Sequence, residues 1–233
     1  MDHIMLTTAI SGKSFVLDAF LAGIKSLLRC NPSMHWVICD TSGNDSIKSL
    51  LYACAESADC KFTYTSFFGG PKYEEYAQRD TLKTLIEYMP RLYNHMMSHV
   101  PECDFVLNVE DDIIPAMANP VSLLRNGFDG TTAAVVWVTF NRRLTSHLGR
   151  LQGSLRKADT EGYSEIKRTA FGLIMMKYEY SQMGFAGSLG SVVAFDNVFG
   201  AKVEHLGKKI KIAWGVRTRH YFSTKNGDVS YVG

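Results

Sequence analysis

A chain of 233 residues, 46% hydrophobic and 21% charged, is long enough to bury a sizeable core and too apolar for disorder. Its net charge of +2 is unevenly spread: residues 1–112 hold 9 Lys/Arg against 15 Asp/Glu, and residues 113–233 hold 16 against 8. No run approaches the roughly 18–20 apolar residues of a membrane span, no basic segment leads into an apolar one at the amino terminus, and five scattered cysteines without a Cys-x-x-Cys pair argue against a zinc site or a disulfide framework, so a cytoplasmic protein is expected.

Strand and helix patterns alternate along the first half. Ile4 to Ile10 is a short β-rich run. Residues 18–28 then carry Phe20, Leu21, Ile24, Leu27 and Leu28 at helical spacing until Asn31-Pro32 stops the helix. His35 to Cys39 reads as a buried strand ending at Asp40, Thr41 to Asp45 is turn chemistry, and Ser46 to Ala55 resumes a helix. Lys61 to Phe67 is a third strand, followed by Gly69-Gly70-Pro71. From about Tyr73 to His99 the pattern is helical, with a break near Pro90. Asp104 to Val109 is a short apolar strand that runs straight into Glu110-Asp111-Asp112.

The second half is less regular. Ala133 to Phe140, Phe171 to Lys177 and Ile210 to Ala213 read as strands, Ser146 to Arg168 is polar and basic, and Gly184 to Gly190 is a glycine-rich loop. Trp137, Met175, Met176 and Trp214 read as core. Strands separated by helices predict a single α/β domain over residues 1–233, with a mostly parallel sheet and ligands at the carboxyl ends of its strands. Asp40 and the acidic triplet both lie at such ends.

Two familiar motifs fail. Gly12-Lys13-Ser14 looks like the end of a phosphate-binding loop, but Thr7 stands where that pattern needs glycine. Gly184, Gly187 and Gly190 lack the Gly-x-Gly-x-x-Gly spacing of dinucleotide folds. Both read as ordinary turns. The acidic triplet differs, because three adjacent carboxylates repel one another and call for a compensating cation. Hard divalent ions such as Mg²⁺ and Mn²⁺ take oxygen ligands and often share them with substrate phosphates. A solvated charged turn is the other reading of the same three residues.

The run VLNVEDDIIP resembles the Asp-x-Asp motif of GT-A glycosyltransferases, especially glycosyltransferase family 2 of the nucleotide-diphospho-sugar transferases, whose members invert. The resemblance implies a Rossmann-like GT-A fold with helices flanking the central sheet and a smaller acceptor-side β region. It implies a nucleotide-sugar half over residues 1–112 and an acceptor half over residues 113–233. By the same resemblance Glu110, here in place of the commoner aspartate, and Asp111 face the sugar nucleotide, and Asp112 binds the metal. Thr8, in Thr7-Thr8-Ala9 after the first strand, takes the place of a nucleotide contact, and Asp40 that of the residue binding the base. Arg79 lies near an Arg-bearing helix start where a guanidinium pairs with diphosphate; a surface ion pair is its other reading.

Farther on, Phe171 to Met176 resembles the small-residue segment before the acceptor site. The stretch DNVFGAKVEHLGKKIKIAWGVRTRHY, residues 196–221, resembles the family's closing segment. There Asp196 stands at the catalytic-base position and His220 at that of the last metal ligand, with Phe195 where a glutamate is usual. The implied reaction moves a sugar from a nucleoside-diphosphate sugar to an acceptor hydroxyl through an oxocarbenium-like transition state. A divalent cation, Mn²⁺ or Mg²⁺, offsets the charge on the departing diphosphate, and a carboxylate takes the acceptor proton.

The basic second half, with Arg142-Arg143, Arg150, Arg156-Lys157, Lys167-Arg168, Lys208-Lys209, Lys211, Arg217 and Arg219, suits an anionic acceptor such as modified DNA, or else forms a solvated rim. Two other readings stay open: a nucleotidyltransferase, and a catalytically degenerate nucleotide-sugar-binding protein in which Phe195 marks lost turnover.

Overall fold

The computed structural model describes residues 2–68, 84–115, 117, 119–137, 162–167, 169, 171–187, 195–216, 218–223 and 229–232. Strand β1 (Ile4–Ile10) leads through a short loop into helix α1 (Leu17–Cys30), and β2 (His35–Asp40) into α2 (Asp45–Ser57) and β3 (Phe62–Ser66). Helix α1 buries Leu17, Phe20, Leu21, Ile24, Leu27 and Leu28, the stripe its spacing predicts. Each such side chain contributes on the order of 1.5–3 kcal/mol when fully buried. The Asn44 side chain caps α2 by accepting from the Ser46 amide.

The helical pattern from Tyr73 to His99 is described only from Thr84. There a π-helical turn (Thr84–Tyr88) passes into α3 (Met89–Met97). The break expected near Pro90 is the change from the π-helical turn to the α-helix between Tyr88 and Met89. Pro90 sits in the first turn of α3, where its fixed φ favours helix.

Strand β4 (Phe105–Val109) ends at the acidic triplet and is followed by the short β5 (Ile113–Pro115) and helix α4 (Val121–Asn126). Next come β6 (Thr132–Trp137), β7 (Tyr163–Ile166) and β8 (Leu173–Lys177). Helices α5 (Tyr178–Ser181) and α6 (Phe195–His205) precede β9 (Lys209–Ala213), β10 (Thr218–Ser223) and β11 (Val229–Val232). The predicted strand from Ala133 to Phe140 is described to Trp137. The Gly184–Gly190 loop is described to Gly187.

Eight strands form the main sheet in the order β3-β2-β1-β4-β8-β6-β9-β7. The pairs β3-β2, β2-β1, β1-β4 and β6-β9 are parallel, whereas β8 and β7 run against their neighbours. Strands from both halves of the chain therefore share one sheet. Its central strands are covered on both faces, so Phe105 to Val109, apolar but for Asn108, and the apolar run Ala133 to Trp137 are all buried. Met175, Met176, Trp137 and Trp214 lie in that core as expected. A smaller sheet, β11-β10-β5, is antiparallel throughout. None of the described helices is long and apolar enough to cross a membrane.

Adjacent parallel strands point their carboxyl ends the same way. The loop after β1 and the triplet after β4 consequently emerge side by side, because the register aligns Thr7 with Asn108. That end of the sheet carries the candidate chemistry.

Candidate active site

The triplet is held from several directions. The Asp111 carboxylate accepts the Ser11 amide and the Ser11 hydroxyl, both at 2.7 Å, on Oδ2, and the Lys13 ammonium at 2.8 Å on Oδ1. The same ammonium donates to Asp112 Oδ2 at 2.7 Å. Gly12 makes this loop possible. Its φ of +82° lies in the left-handed region, and an added Cβ would stand 3.0 Å from the Ser42 Cβ.

His220 arrives from 108 positions farther along the chain. Strand β10 pairs with β5 so that His220 faces Ile113, and the Tyr221 amide donates to the Asp112 carbonyl at 2.8 Å. This register leaves the His220 Nε2 3.8 Å from Asp112 Oδ2. Asp112 Oδ1 is buried without a hydrogen-bond partner among the described residues. An orphaned carboxylate oxygen is costly unless something positive meets it.

Charges in the site shift one another. Burial disfavours the Lys13 ammonium, but Asp111 and Asp112 outweigh it and hold the amine above the usual lysine range. Burial likewise opposes the Asp112 charge, yet Lys13 and His220 keep its carboxyl well below the usual carboxylate range. Burial, with the Asp112 charge adding to it, pushes the Glu110 carboxyl up to about 7.

Glu110 is held separately from its neighbours. Its Oε1 accepts from the Tyr93 hydroxyl at 3.3 Å, and that hydroxyl accepts from Asn108 Nδ2 at 3.2 Å. The Glu110 amide donates to the Gly172 carbonyl at 2.9 Å. A Cβ on Gly172 would overlap Ile113 Cδ1, so the Ile113 side chain must turn aside to admit one, and would stand in ordinary contact with Glu110 Oε2 at 3.5 Å. Gly172→Ala therefore forces Ile113, the neighbour of Asp112, to move. We expect a loss of about 1–3 kcal/mol in urea denaturation, and wild-type stability in that variant would contradict the packing argument.

Phe195 has a structural explanation. It is buried at the start of α6, with ring centroids 4.9 Å from Tyr93 and 5.1 Å from Phe171. Phe185 and Phe199 complete the cluster. A carboxylate among these rings would lose its hydration with nothing to replace it. The next residue, Asp196, lies in the first turn of α6 and is partly exposed; its Oδ1 accepts the Asn197 amide at 2.7 Å. Tyr93 thus links the two ends of the site, with its ring on Phe195 and its hydroxyl on Glu110.

The other expected site residues divide. Asp40 ends β2 and is buried. Its Oδ1 accepts the Ser42 amide and hydroxyl at 2.8 and 2.6 Å, and its Oδ2 accepts the Tyr64 hydroxyl at 2.8 Å. It therefore shapes the loop after β2. Thr8 lies inside β1 rather than after it, fully buried, and its hydroxyl accepts the Trp36 indole N–H at 2.9 Å. Thr8 presents no surface to a ligand; β1 runs on to Ile10, and the loop that reaches the triplet begins at Ser11. Arg79 falls outside the described residues.

Sequence reasoning missed Ser11 and Lys13, which it set aside as a turn. The signal was available: a lysine just past a first strand lies at the same sheet end as an acidic motif past an adjacent parallel strand. In the basic half several lysines are already engaged. Lys167 pairs with Glu204, Lys209 with Glu165 and Lys211 with Asp129, at 2.6–2.9 Å.

Among the described residues no group of three or more His, Cys, Asp or Glu converges as a cage. Mg²⁺ and Mn²⁺ are commonly held by one or two carboxylates together with substrate phosphates. Asp112, with Oδ1 unpartnered among the described residues and Oδ2 3.8 Å from His220 Nε2, fits such a shared site.

Comparison with known proteins places the fold. No family model and no curated protein matches the sequence. The mannosyltransferase PcManGT from Pyrobaculum calidifontis, solved with GDP-Man and Mn²⁺, is similar with a TM-score of 0.60 at 17% identity, over 90% of this chain and 54% of its own. TarS 1–349 of S. aureus in complex with UDP gives 0.59 at 12% identity, over 94% and 59%. GalNAc-T7 with UDP, GalNAc and Mn²⁺ gives 0.61 at 12% identity, over 97% and 44%. The chain spans about half the length of the first of these. Its fold is the GT-A fold of glycosyltransferases, as the motif VLNVEDDIIP implied.

Proposed function

We propose that the chain is a divalent-cation-dependent glycosyltransferase that moves a sugar from a nucleoside-diphosphate sugar to an acceptor hydroxyl with inversion. The observation that carries this reading is the meeting of Asp112, with its buried unpartnered oxygen, and His220 at the carboxyl end of β4 in a GT-A fold. Structures of that fold solved with GDP-Man and Mn²⁺, or with UDP, GalNAc and Mn²⁺, support it.

Asp112 and His220 would hold the cation, Mn²⁺ or Mg²⁺. When bound there, it supplies positive charge to the departing diphosphate without a proton. Asp196 would accept the proton of the attacking hydroxyl, and its place at the start of α6 keeps it accessible. Glu110, steered by Tyr93, would contact the ribose. Asp111 would act on the donor through Ser11 and Lys13, since both its oxygens are engaged there. Asp40 would hold Ser42 and Tyr64 at the base end. Arg79 remains a diphosphate contact on the sequence argument alone.

This reading makes residues 1–233 one domain, with the donor over 1–112 and the acceptor over 113–233. The positive balance of the second half favours an anionic acceptor, such as DNA with hydroxylated bases. Lys167, Lys209 and Lys211 of that half are already paired to acids.

The test is a panel of nucleoside-diphosphate sugars with Mn²⁺, alone and with glycans or hydroxylated oligonucleotides, read as release of nucleoside diphosphate. We expect release from one donor class, abolished by EDTA and accelerated by the right acceptor. Pyrophosphate release from a nucleoside triphosphate would mean a nucleotidyltransferase instead. Tight donor binding with no turnover on any acceptor would mean a binding protein.

A further inference from the structure

Lys13 is the one cationic side chain that touches both Asp111 and Asp112 among the described residues. Its side chain is 18% exposed, and its loop is fixed by the two Ser11 bonds to Asp111 and by the left-handed Gly12. An ammonium carries three donors, and two of them are on the aspartates. Asp112 Oδ2 is shared between Lys13 and His220, while Asp112 Oδ1 has no partner among the described residues. A divalent ion on Asp112 must therefore contest that carboxylate with a lysine already there. Two cations drawn to one carboxylate repel each other, which weakens the Lys13 contact with Asp112 while Asp111 still holds the ammonium. The donor it frees is suited to a phosphate oxygen, the anion that arrives with the sugar nucleotide.

We propose that Lys13 is a resident cation of the donor site: it neutralises Asp112 while no divalent ion is bound, and it passes to the donor diphosphate once that ion takes Asp112. This rests on the reading of the site as one for a nucleoside diphosphate and adds a binding residue to it. A plain staple between the loop after β1 and the end of β4 would have the same bonds, but it differs in what its loss does. Removing a staple loosens the site for every ligand. Removing a resident cation strengthens metal binding and weakens diphosphate binding.

The experiment uses Lys13→Met, which keeps the apolar stem. Mn²⁺ affinity without nucleotide is read from the spin signal of free Mn²⁺, and GDP and UDP affinity in saturating Mn²⁺ from calorimetry. We expect Mn²⁺ to bind about tenfold tighter and the nucleotide about tenfold weaker, with Lys13→Arg restoring most of the nucleotide affinity. Both affinities falling together, or neither changing, overturns the proposal.

A measurement on the wild-type chain covers the case in which Lys13→Met fails to fold. Acetylation of the Lys13 amine, followed by mass spectrometry, is expected to be slow in EDTA, faster with Mn²⁺ alone and slow again with Mn²⁺ and GDP or UDP. A rate that does not respond to Mn²⁺ overturns the proposal. Nucleotide binding by wild type with no effect of Lys13→Met would fail Lys13 alone. Wild type that binds no nucleoside diphosphate with Mn²⁺ would remove the reading of the site as well.

Discussion

Asp112→Ala is expected to lose about a thousand-fold in turnover and most of its Mn²⁺ affinity while keeping its fold. A bound cation supplies several kcal/mol of charge stabilisation to a leaving diphosphate, and each ~1.4 kcal/mol is a factor of ten in rate. The fold should survive because the change strands no charge. Lys13 still has Asp111 at 2.8 Å, and the like charge beside Glu110 is removed. Breaking a buried ion pair is severe mainly when it leaves an uncompensated charge, which is not the case here. The measurement is turnover against Mn²⁺ concentration together with a thermal melt. Unchanged activity and unchanged Mn²⁺ dependence would remove Asp112 as a ligand and, with it, the cation site.

The second large effect concerns the proton. Asp196→Asn keeps size, polarity and the acceptor for the Asn197 amide, and leaves Phe195 in its aromatic cluster. It removes the charge and the basicity of the carboxylate. A positioned general base is typically worth 10²–10⁴-fold, so kcat should fall by roughly that factor with donor KM nearly unchanged. A fall of kcat and a rise of KM in equal measure would instead point to a role in holding the donor. An effect below about threefold would place the base elsewhere. The Asp112 and Asp196 variants thus separate loss of the cation from loss of the proton acceptor.

Much of the fold is legible in single residues. The helical stripe of α1, the apolar runs of β2, β4 and β6, and the Asn31-Pro32 stop are local signals, and the structure reproduces them. Pro90 marks a boundary, between a π-helical turn and an α-helix, whose kind such signals do not give. Proline is hostile to a helix interior and at home in its first turn, and deciding between them requires knowing where the helix starts. Thr8 shows another limit. Two threonines near a strand end look like a polar exit, but the strand continues and both faces of the sheet are covered, so a hydroxyl is buried and satisfied by Trp36. Phe195, read as a lost acid, is a core residue that anchors α6 beneath the site.

The sequence by itself determined the alternation of strands and helices and the acidic triplet at a strand end. It also determined the chain order in which Asp40, Glu110–Asp112, Asp196 and His220 occur. These are local properties: side-chain period reports which face of an element is buried, and a cluster of like charges announces that it needs a partner. Only the tertiary structure decided who the partners are. Lys13 meets Asp111 and Asp112 because β1 and β4 are parallel neighbours, and His220 meets Asp112 because β10 takes its register from β5. Contacts between residues about a hundred positions apart are set by strand order and register, and those follow from how the whole core packs rather than from any stretch of chain.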